Sequence, residues 1–316
     1  MQPVIKVIGV GGSGSNTVSR LAKLENSLVE LLAINTDAQA LHFSKAHKQI
    51  LIGKNITHGL GTGMDDNIGK ESAEESRQEI LEALSGPASA KASAGKADMV
   101  FVTCGLGGGT GSGASPVVAE ISKGLGILTI AVVTTPFSFE GAERKKIATR
   151  ALENIKDKVD SLIVISNDNL LKIVDEKTTV SNAFLICDEV LGQAVQGITD
   201  LILVPGIINI DFASVLSIMK NSGRAMFGVG KAIGEKRAIL AAEQAINSPL
   251  LDFSIQGAKG VLFNAAGQDV TLNEIQEAAK IITKNVDSKA QIIFGAVKDN
   301  TLKKGEIKIS VIATKL

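Results

Sequence analysis

The sequence predicts a two-domain α/β protein built on a mostly parallel sheet. Three observations predict it. Short β-branched apolar runs alternate with helical patterns through the first half, a long helical pattern follows near the middle, and a second series of strands and helices comes after it. Strand–helix alternation argues for a parallel sheet covered on both faces. A chain of 316 residues can bury a large core and divide in two. The expected division is a first domain over 1–177, a connecting helix over 178–204 and a smaller second α/β domain over 205–316.

The elements follow in order. Val4–Val10 reads as a buried strand, Ser15–Leu24 as a helix, Leu31–Asn35 as a strand and Gln49–Ile52 as a short one. Ile68–Leu84 is helical, with Ile68, Ala73, Ile80 and Leu84 near helical spacing. Ser85–Ala97 is small, polar and glycine-bearing, a flexible surface loop. Asp98–Thr103 is a strand, Thr110–Gly124 a helix, Leu128–Thr134 a strand, Glu140–Lys158 a helix and Ser161–Ser166 a strand. Thr178–Leu203 is a long helix ended by Pro205-Gly206. Asp211–Asn221 is a shorter helix. Strands at Ala225–Val229, Gly260–Ala265, Gln291–Val297 and Glu306–Ile312 follow, with helices at Lys236–Ile246 and Thr271–Asn285. No internal repeat of solenoid period is present.

Composition excludes several functions. Lys+Arg and Asp+Glu are both 33, so nothing supports bulk attraction to nucleic acid or membrane. A net charge near zero also permits self-association. Cys104 and Cys187 are too few and too far apart for a disulfide framework or a zinc site, and fit a reduced cytoplasm. Met1-Gln2-Pro3-Val4 lacks the features of a secretory leader. The most apolar stretch, Ile127–Val133, is far shorter than the ~20 residues of a membrane span. There is no Trp and no Tyr, which argues against base-stacking platforms.

Two glycine-rich loops carry the functional signal. The first is Gly9-Val10-Gly11-Gly12-Ser13-Gly14-Ser15-Asn16, and the second is Gly105-Leu106-Gly107-Gly108-Gly109-Thr110-Gly111-Ser112-Gly113. Each follows a β-branched run and opens a helical pattern. Glycine lets the backbone approach a ligand with its N–H groups pointing inward. A helix N-terminus behind the loop adds partial positive charge that favours phosphate. Two such loops in one domain point to a polyphosphate held from both sides, hence to a nucleotide.

The first loop by itself also fits a dinucleotide fingerprint, since Asp37 lies beyond the second strand where an acid would meet a ribose hydroxyl. Three features count against a dehydrogenase. It has no need of the second loop; the only histidines, His42, His47 and His58, cluster early; and Asp37 also fits the N-cap of a following helix. A Walker A loop is absent. Gly63–Lys70 has one residue too many and is followed by Glu71, while Gly95-Lys96-Ala97 lacks the hydroxyl residue that would meet magnesium.

Gly107-Gly108-Gly109-Thr110-Gly111-Ser112-Gly113 resembles the phosphate-binding signature of the tubulin/FtsZ superfamily. The likeness to the FtsZ family, bacterial-type cell-division GTPases, extends through Asn35–Leu41, Ala119–Phe139, Ala194–Thr199 and Ser248–Leu251 in the family's order. It implies an α/β fold with a parallel-sheet GTP-binding domain, a long connecting helix and a smaller second domain. It also implies roles. Gly11, Gly12 and Asn16 belong to the first loop, with Asn16 also near the base. Thr36, Asp37 and the loop bearing Gly61 and Gly63 approach the terminal phosphates. Gly105 opens the second loop. Gly107, Gly108, Gly109, Thr110 and Gly111 hold the α- and β-phosphates. Thr134 and Pro136 line the sugar side, and Glu140 and Arg144 contact the ribose. Asn167, Phe184 and Asp188 take guanine. Singly, each has a plainer alternative: Glu140 and Arg144 as an exposed i,i+4 ion pair, Phe184 as core, Asn167 as a helix cap.

The resemblance further implies head-to-tail filaments in which Asn209, Asp211 and the residue at 214 complete a neighbour's site. The family usually has a second acid where this chain has Ser214. Serine is no general base at neutral pH unaided, though it can hydrogen-bond a water. The expectation is intact assembly with slowed hydrolysis; the rival is a nucleotide-bound scaffold that barely turns over. The implied ligands are GTP or GDP, magnesium carried by the nucleotide, with no metal site of the protein's own, and potassium as a candidate cation. The implied partners are other copies of the chain and division-machinery adaptors, without nucleic acid or direct membrane insertion, in the cytoplasm at the division site. The sequence ends at Lys315-Leu316, near the end of the family's globular core. The linker and terminal peptide that relatives use for membrane adaptors are therefore expected to be either trimmed or naturally lacking.

Overall fold

A computed structural model describes residues 2–23, 29–86, 96–171, 178–204, 206–248, 255–284 and 286–315. The centre of the Ser85–Ala97 loop, Leu24, Pro205 and the 249–251 part of the Ser248–Leu251 segment lie outside them. The chain forms two compact units, Met1–Gln196 and Gly197–Leu316.

Among the described residues the first unit holds six strands: β1 (Ile5–Val10), β2 (Glu30–Asn35), β3 (Lys48–Leu51), β4 (Met99–Gly105), β5 (Leu128–Thr135) and β6 (Ser161–Ser166). They run parallel in the order β3-β2-β1-β4-β5-β6. Every residue of β1 is buried, as a strand covered on both faces requires. Even Lys6 is buried there; its ammonium donates to the Ala83 carbonyl at 2.8 Å and pairs with Glu30 at 3.0 Å.

The helices of this unit are α1 (Gly11–Leu21), α2 (Ala38–His42), α3 (Asp66–Glu75), α4 (Arg77–Ser85), α5 (Gly109–Gly124), α6 (Ala142–Ile155) and α7 (Asn167–Leu170). One core joins Ile8, Val10, Ile34, Val102 and Val133 of the strands to Ile80, Val117, Ile121 and Ile155 of the helices. α3 crosses α5 at glycine contacts: a Cβ on Gly113 would lie 2.0 Å from the Asp66 carbonyl oxygen, and one on Gly69 2.4 Å from that of Gly109.

Three helices differ from the sequence expectation. α1 begins at Gly11, inside the glycine loop, so the loop is the helix's first turn. The Ile68–Leu84 helix is two helices that break at Ser76, whose φ of −97° and ψ of 15° leave the helical region. The Glu140–Lys158 helix breaks at Gly141, with φ +102°, so Glu140 closes a separate short 3-10 turn at Ser138–Glu140. Apolar spacing runs through the Ser76 break because both halves cover the same core.

α8 (Val180–Leu203) runs across the division between the units. The second unit continues with α9 (Phe212–Met219), β7 (Gly223–Ile233), α10 (Arg237–Ile246), β8 (Gly260–Gly267), α11 (Leu272–Thr283), β9 (Gln291–Lys298) and β10 (Glu306–Thr314). Its strands lie in the order β7-β10-β8-β9; β10 is antiparallel to β7 and β8, while β8 and β9 are parallel. α10 rests on β7 almost backbone to backbone. It buries Ala238, Ala241, Ala242 and Ala245, and a Cβ on Gly228 would lie 1.9 Å from the Ala245 carbonyl oxygen. The buried Arg237 guanidinium reaches Asp269 at 2.7 Å and Glu274, whose carboxylate also closes the Thr271 capping box of α11.

Gly228→Ala is expected to overpack the α10–β7 contact and to destabilise the second unit by about 1–3 kcal/mol. A lower urea midpoint for that unit, read by hydrogen exchange, is the check.

Candidate nucleotide site

The site begins where neighbouring parallel strands end together. β1 pairs with β4 from Ile5↔Met99 to Gly9↔Thr103, so both strands deliver their glycine loops to one edge of the sheet. Gly11 has φ +73°, and a Cβ there would lie 2.9 Å from the Gly111 nitrogen. A Cβ on Gly14 would lie 2.5 Å from the Thr103 carbonyl oxygen. The two loops are thus pressed against each other, and the N-termini of α1 and α5 open on a common cleft. Unpaired N–H groups at both ends add partial positive charge there.

The cleft has a volume of about 430 Å³. Of the expected residues, Gly12, Asn16, Gly105, Gly108, Gly109, Thr110, Gly111, Thr134, Pro136, Glu140, Arg144, Asn167, Phe184 and Asp188 line it. Ser13, Thr62, Leu106 and Cys187 line it as well. Thr62 belongs to the Gly61–Asp65 loop expected at the terminal phosphates; Ser13, Leu106 and Cys187 have only their proximity in sequence to Gly12, Gly105 and Asp188 as a signal. Burial pushes the Cys187 thiol up to about 12, so it is present as the neutral thiol.

Gly11, Thr36, Asp37, Gly61, Gly63 and Gly107 are not among the lining residues. Thr36 is buried, and its hydroxyl lies 2.7 Å from that of Thr110. The Gly61 N–H donates to the Thr36 carbonyl at 3.3 Å. Asp37 accepts from the Ala40 N–H at 2.9 Å, so it caps α2. Gly63 takes φ +56° in its turn. A Cβ on Gly107 would come within 3.2 Å of the Pro136 ring.

At the far end the plainer alternatives fare differently. Glu140 and Arg144 do pair, at 2.8 Å, but the Glu140 side chain is only 10% exposed and also accepts from the Phe137 N–H at 2.9 Å. Asn167 does not cap a helix. It is the first residue of α7, buried, and its Oδ1 has no hydrogen-bond partner. A buried orphan acceptor beside a cleft calls for a donor from a ligand. Phe184 is 40% exposed rather than core, and its ring meets Phe137 edge-on at 5.4 Å.

Asp188 is buried on α8 and accepts from the Ser13 hydroxyl at 3.1 Å, with Arg20 Nε 3.9 Å away. Burial raises its pKa above the ordinary carboxylate value, against the opposing pull of Ser13, Arg20 and Asn16.

Asn209, Asp211 and Ser214 belong to the second unit and are not among the residues lining the cleft. Asn209 Oδ1 accepts from the Gly206 N–H at 2.6 Å. Asp211 caps α9, accepting from the Ser214 N–H at 2.7 Å. The Ser214 hydroxyl and N–H together hold the Asp211 carboxyl below its usual range. Among the described residues, no group of three or more His, Cys, Asp or Glu is placed to hold a metal.

Comparison with known proteins agrees with this geometry. Residues 4–175 match the family model described as the Tubulin/FtsZ family, GTPase domain, and residues 223–316 that of the FtsZ family, C-terminal domain. The chain is 51% identical over 310 residues to Cell division protein FtsZ 1 of Pyrococcus horikoshii, covering 98% of this chain and 80% of that protein. It is 49% identical over 314 residues to Cell division protein FtsZ 1 of Thermococcus kodakarensis, covering 99% and 81%. Among solved structures, an empty FtsZ dimer of M. jannaschii superposes with a TM-score of 0.92 at 46% identity, covering 99% of this chain and 88% of that one.

Gly12 and Gly108 line the cleft, and a Cβ on either would meet no atom within 4 Å. Gly12→Ala and Gly108→Ala are therefore expected to fold normally while each methyl intrudes on a bound polyphosphate. Calorimetric titration should show weakened nucleotide binding with an unchanged thermal midpoint.

Proposed function

The chain belongs to the FtsZ family, as a GTP-binding, self-polymerising cell-division protein and a GTPase, and from that premise we propose how its own residues do this work. GTP occupies the cleft with its phosphates on the α1 and α5 N-termini. Backbone N–H groups from Gly108 to Gly111 and the Thr110 hydroxyl take the α- and β-phosphates; the Gly107 N–H, expected among them, is given to the Ser112 hydroxyl at 2.8 Å instead. Thr36, Asp37 and the Gly61–Gly63 turn border the terminal phosphate. Glu140 and Arg144 meet the ribose between Thr134 and Pro136. Phe184 stacks on guanine, Asn167 Oδ1 accepts from it, and the Asp188 carboxylate receives N1–H and N2–H. The observation that carries this reading is the pairing of two helix N-termini at one end of the cleft with an orphan acceptor and a buried carboxylate at the other.

Magnesium would arrive on the phosphates and neutralise charge developing in the transition state, as phosphoryl transfer generally requires. Potassium is a candidate accessory cation. The working division is a GTP-binding domain over 1–177, a connecting helix over 178–204 and an activation and polymerisation domain over 205–316. The setting is the cytoplasm at the division site, with adaptors of the division machinery as further partners.

Self-association is head to tail, a heterologous contact that extends into a filament. Two features support unlike faces. The first unit carries 19 Lys+Arg against 22 Asp+Glu, and the second 14 against 11, giving net charges of opposite sign. Large apolar side chains stand exposed on both, Leu60 at 85% on the first and Ile207 at 71% and Leu272 at 75% on the second. Asn209, Asp211 and Ser214 of one subunit then meet the terminal phosphate bound by the next. Asp211, held ionised by Ser214, orients the attacking water and is a weak base for it, because a low pKa lowers basicity. Serine at 214 supplies no second carboxylate, so turnover is slow.

Phosphate release per subunit, with GTP, magnesium and potassium, is expected to rise above a threshold protein concentration. Release that stays flat and near zero in protein that still binds GTP would mean a scaffold without turnover. Ser214→Asp is expected to raise turnover by about 10²-fold, within the range of acid–base help, while leaving the assembly threshold in place. An unchanged rate would remove Ser214 as the cause of slow hydrolysis.

A further inference from the structure

Ser13 lies in the first glycine loop, yet none of the roles above uses it. Its side chain is wedged between two elements. A Cβ on Gly105, at the end of β4, would lie 3.0 Å from Ser13 Cβ, and the hydroxyl donates to Asp188 Oδ1 on α8 at 3.1 Å. Ser13, Asn16 and Arg20 follow one another at helical spacing, so α1 turns all three toward Asp188. Asn16 also favours the ionised form of that carboxylate. Arg20 is nearer to Glu189, at 3.4 Å, than to Asp188, at 3.9 Å.

We propose that Ser13 is a positioning residue for purine recognition, its hydroxyl orienting the Asp188 carboxylate toward N1–H and N2–H of guanine and tying that carboxylate to the phosphate loop. The proposal rests on the reading that Asp188 receives guanine. An ionised carboxylate offers about four lone-pair sites, so the bond from Ser13 leaves acceptors free for two ligand donors. A hydrogen bond to a charged acceptor is among the stronger ones and fixes the plane of the carboxylate. Phosphate binding and base reading then share one short rigid link, from the first turn of α1 to α8.

The link also has a pH signature. The groups facing Asp188 are Ser13, Asn16 and Arg20 on α1, which favour its ionised form, and Glu189 on α8, which opposes it. Burial already lifts its pKa. Protonation would leave too few acceptors for guanine, so affinity is lost as pH falls through that raised value. Loss of the Ser13 hydroxyl lifts the value further and starts the loss at higher pH.

The experiment is equilibrium binding of GTP, GDP and ITP to the full chain below its assembly threshold, in a pH series that runs from neutrality down into the carboxylate range. ITP lacks the exocyclic amine that Asp188 would read. Ser13→Ala is expected to weaken GTP binding about three- to tenfold, to shrink the GTP-over-ITP preference, to move the acid limb to higher pH and to leave the GTP-to-GDP ratio unchanged. In an Asp188→Asn background, Ser13→Ala should change nothing further. If Ser13→Ala weakens GTP and ITP equally with the acid limb unmoved, or changes nothing while Asp188→Asn abolishes the preference, the positioning role is overturned and the guanine reading stands. If Asp188→Asn keeps the full preference for GTP, the guanine reading itself fails, and this inference fails with it.

Discussion

The close approach of two backbone turns at the ends of β1 and β4 is the constraint on which the rest of the cleft depends. Only glycine at 11 and 14 allows it, because a side chain at either would strike Gly111 or the Thr103 carbonyl. The parallel register of β1 with β4 brings both turns to the same sheet edge. Strands that end level, each followed by a helix, place two helix N-termini on one side of a crevice, the usual ligand position in an open α/β sheet. The partial charges of α1 and α5 then add rather than act alone. Behind them, the Thr36–Thr110 hydroxyl contact and the Gly61–Thr36 bond fasten the neighbouring turns to this same pair of loops.

α8 supplies the second half of the site. Phe184 and Asp188 are four residues apart, so one helix face carries both a partly exposed ring and a buried carboxylate. The ring leans edge-on against Phe137, which stacks on Phe139 at 4.9 Å. An aromatic supported this way holds its orientation without a ligand. Asp188 is supported from α1, and Asn167 from the end of β6 leaves its acceptor unpaired in the same cleft. A buried carboxylate and an unpaired buried acceptor are electrostatically costly to hold in a cleft.

The same economy explains the segment around Asp211. Its carboxylate caps α9, and Ser214 satisfies it through both hydroxyl and N–H. A second acid at 214 would sit one turn along on the same face and repel the first. Serine at 214 brings no such repulsion and strengthens the cap.

Much of the fold was legible in the amino-acid order. Continuous apolar runs such as Ile5–Val10 and Leu128–Thr135 have to be buried strands, and the glycine runs after β1 and β4 have to be tight turns opening helices, because local sterics and periodicity decide both. The family, and with it the GTP-binding role, followed from the Gly107–Gly113 run. Tertiary contact decided the rest. The break at Ser76 was hidden because apolar spacing continues across a change of backbone direction, with Ala73 before it and Ile80 and Leu84 after it in one core. Asn167 was ambiguous between cap and ligand until its burial and unpaired oxygen were known. Ser13 carried only its place beside Gly12 as a signal, since a serine among glycines looks like one more small loop residue. Its partner Asp188 lies 175 positions away, and only the packing of α8 against α1 brings them within a hydrogen bond.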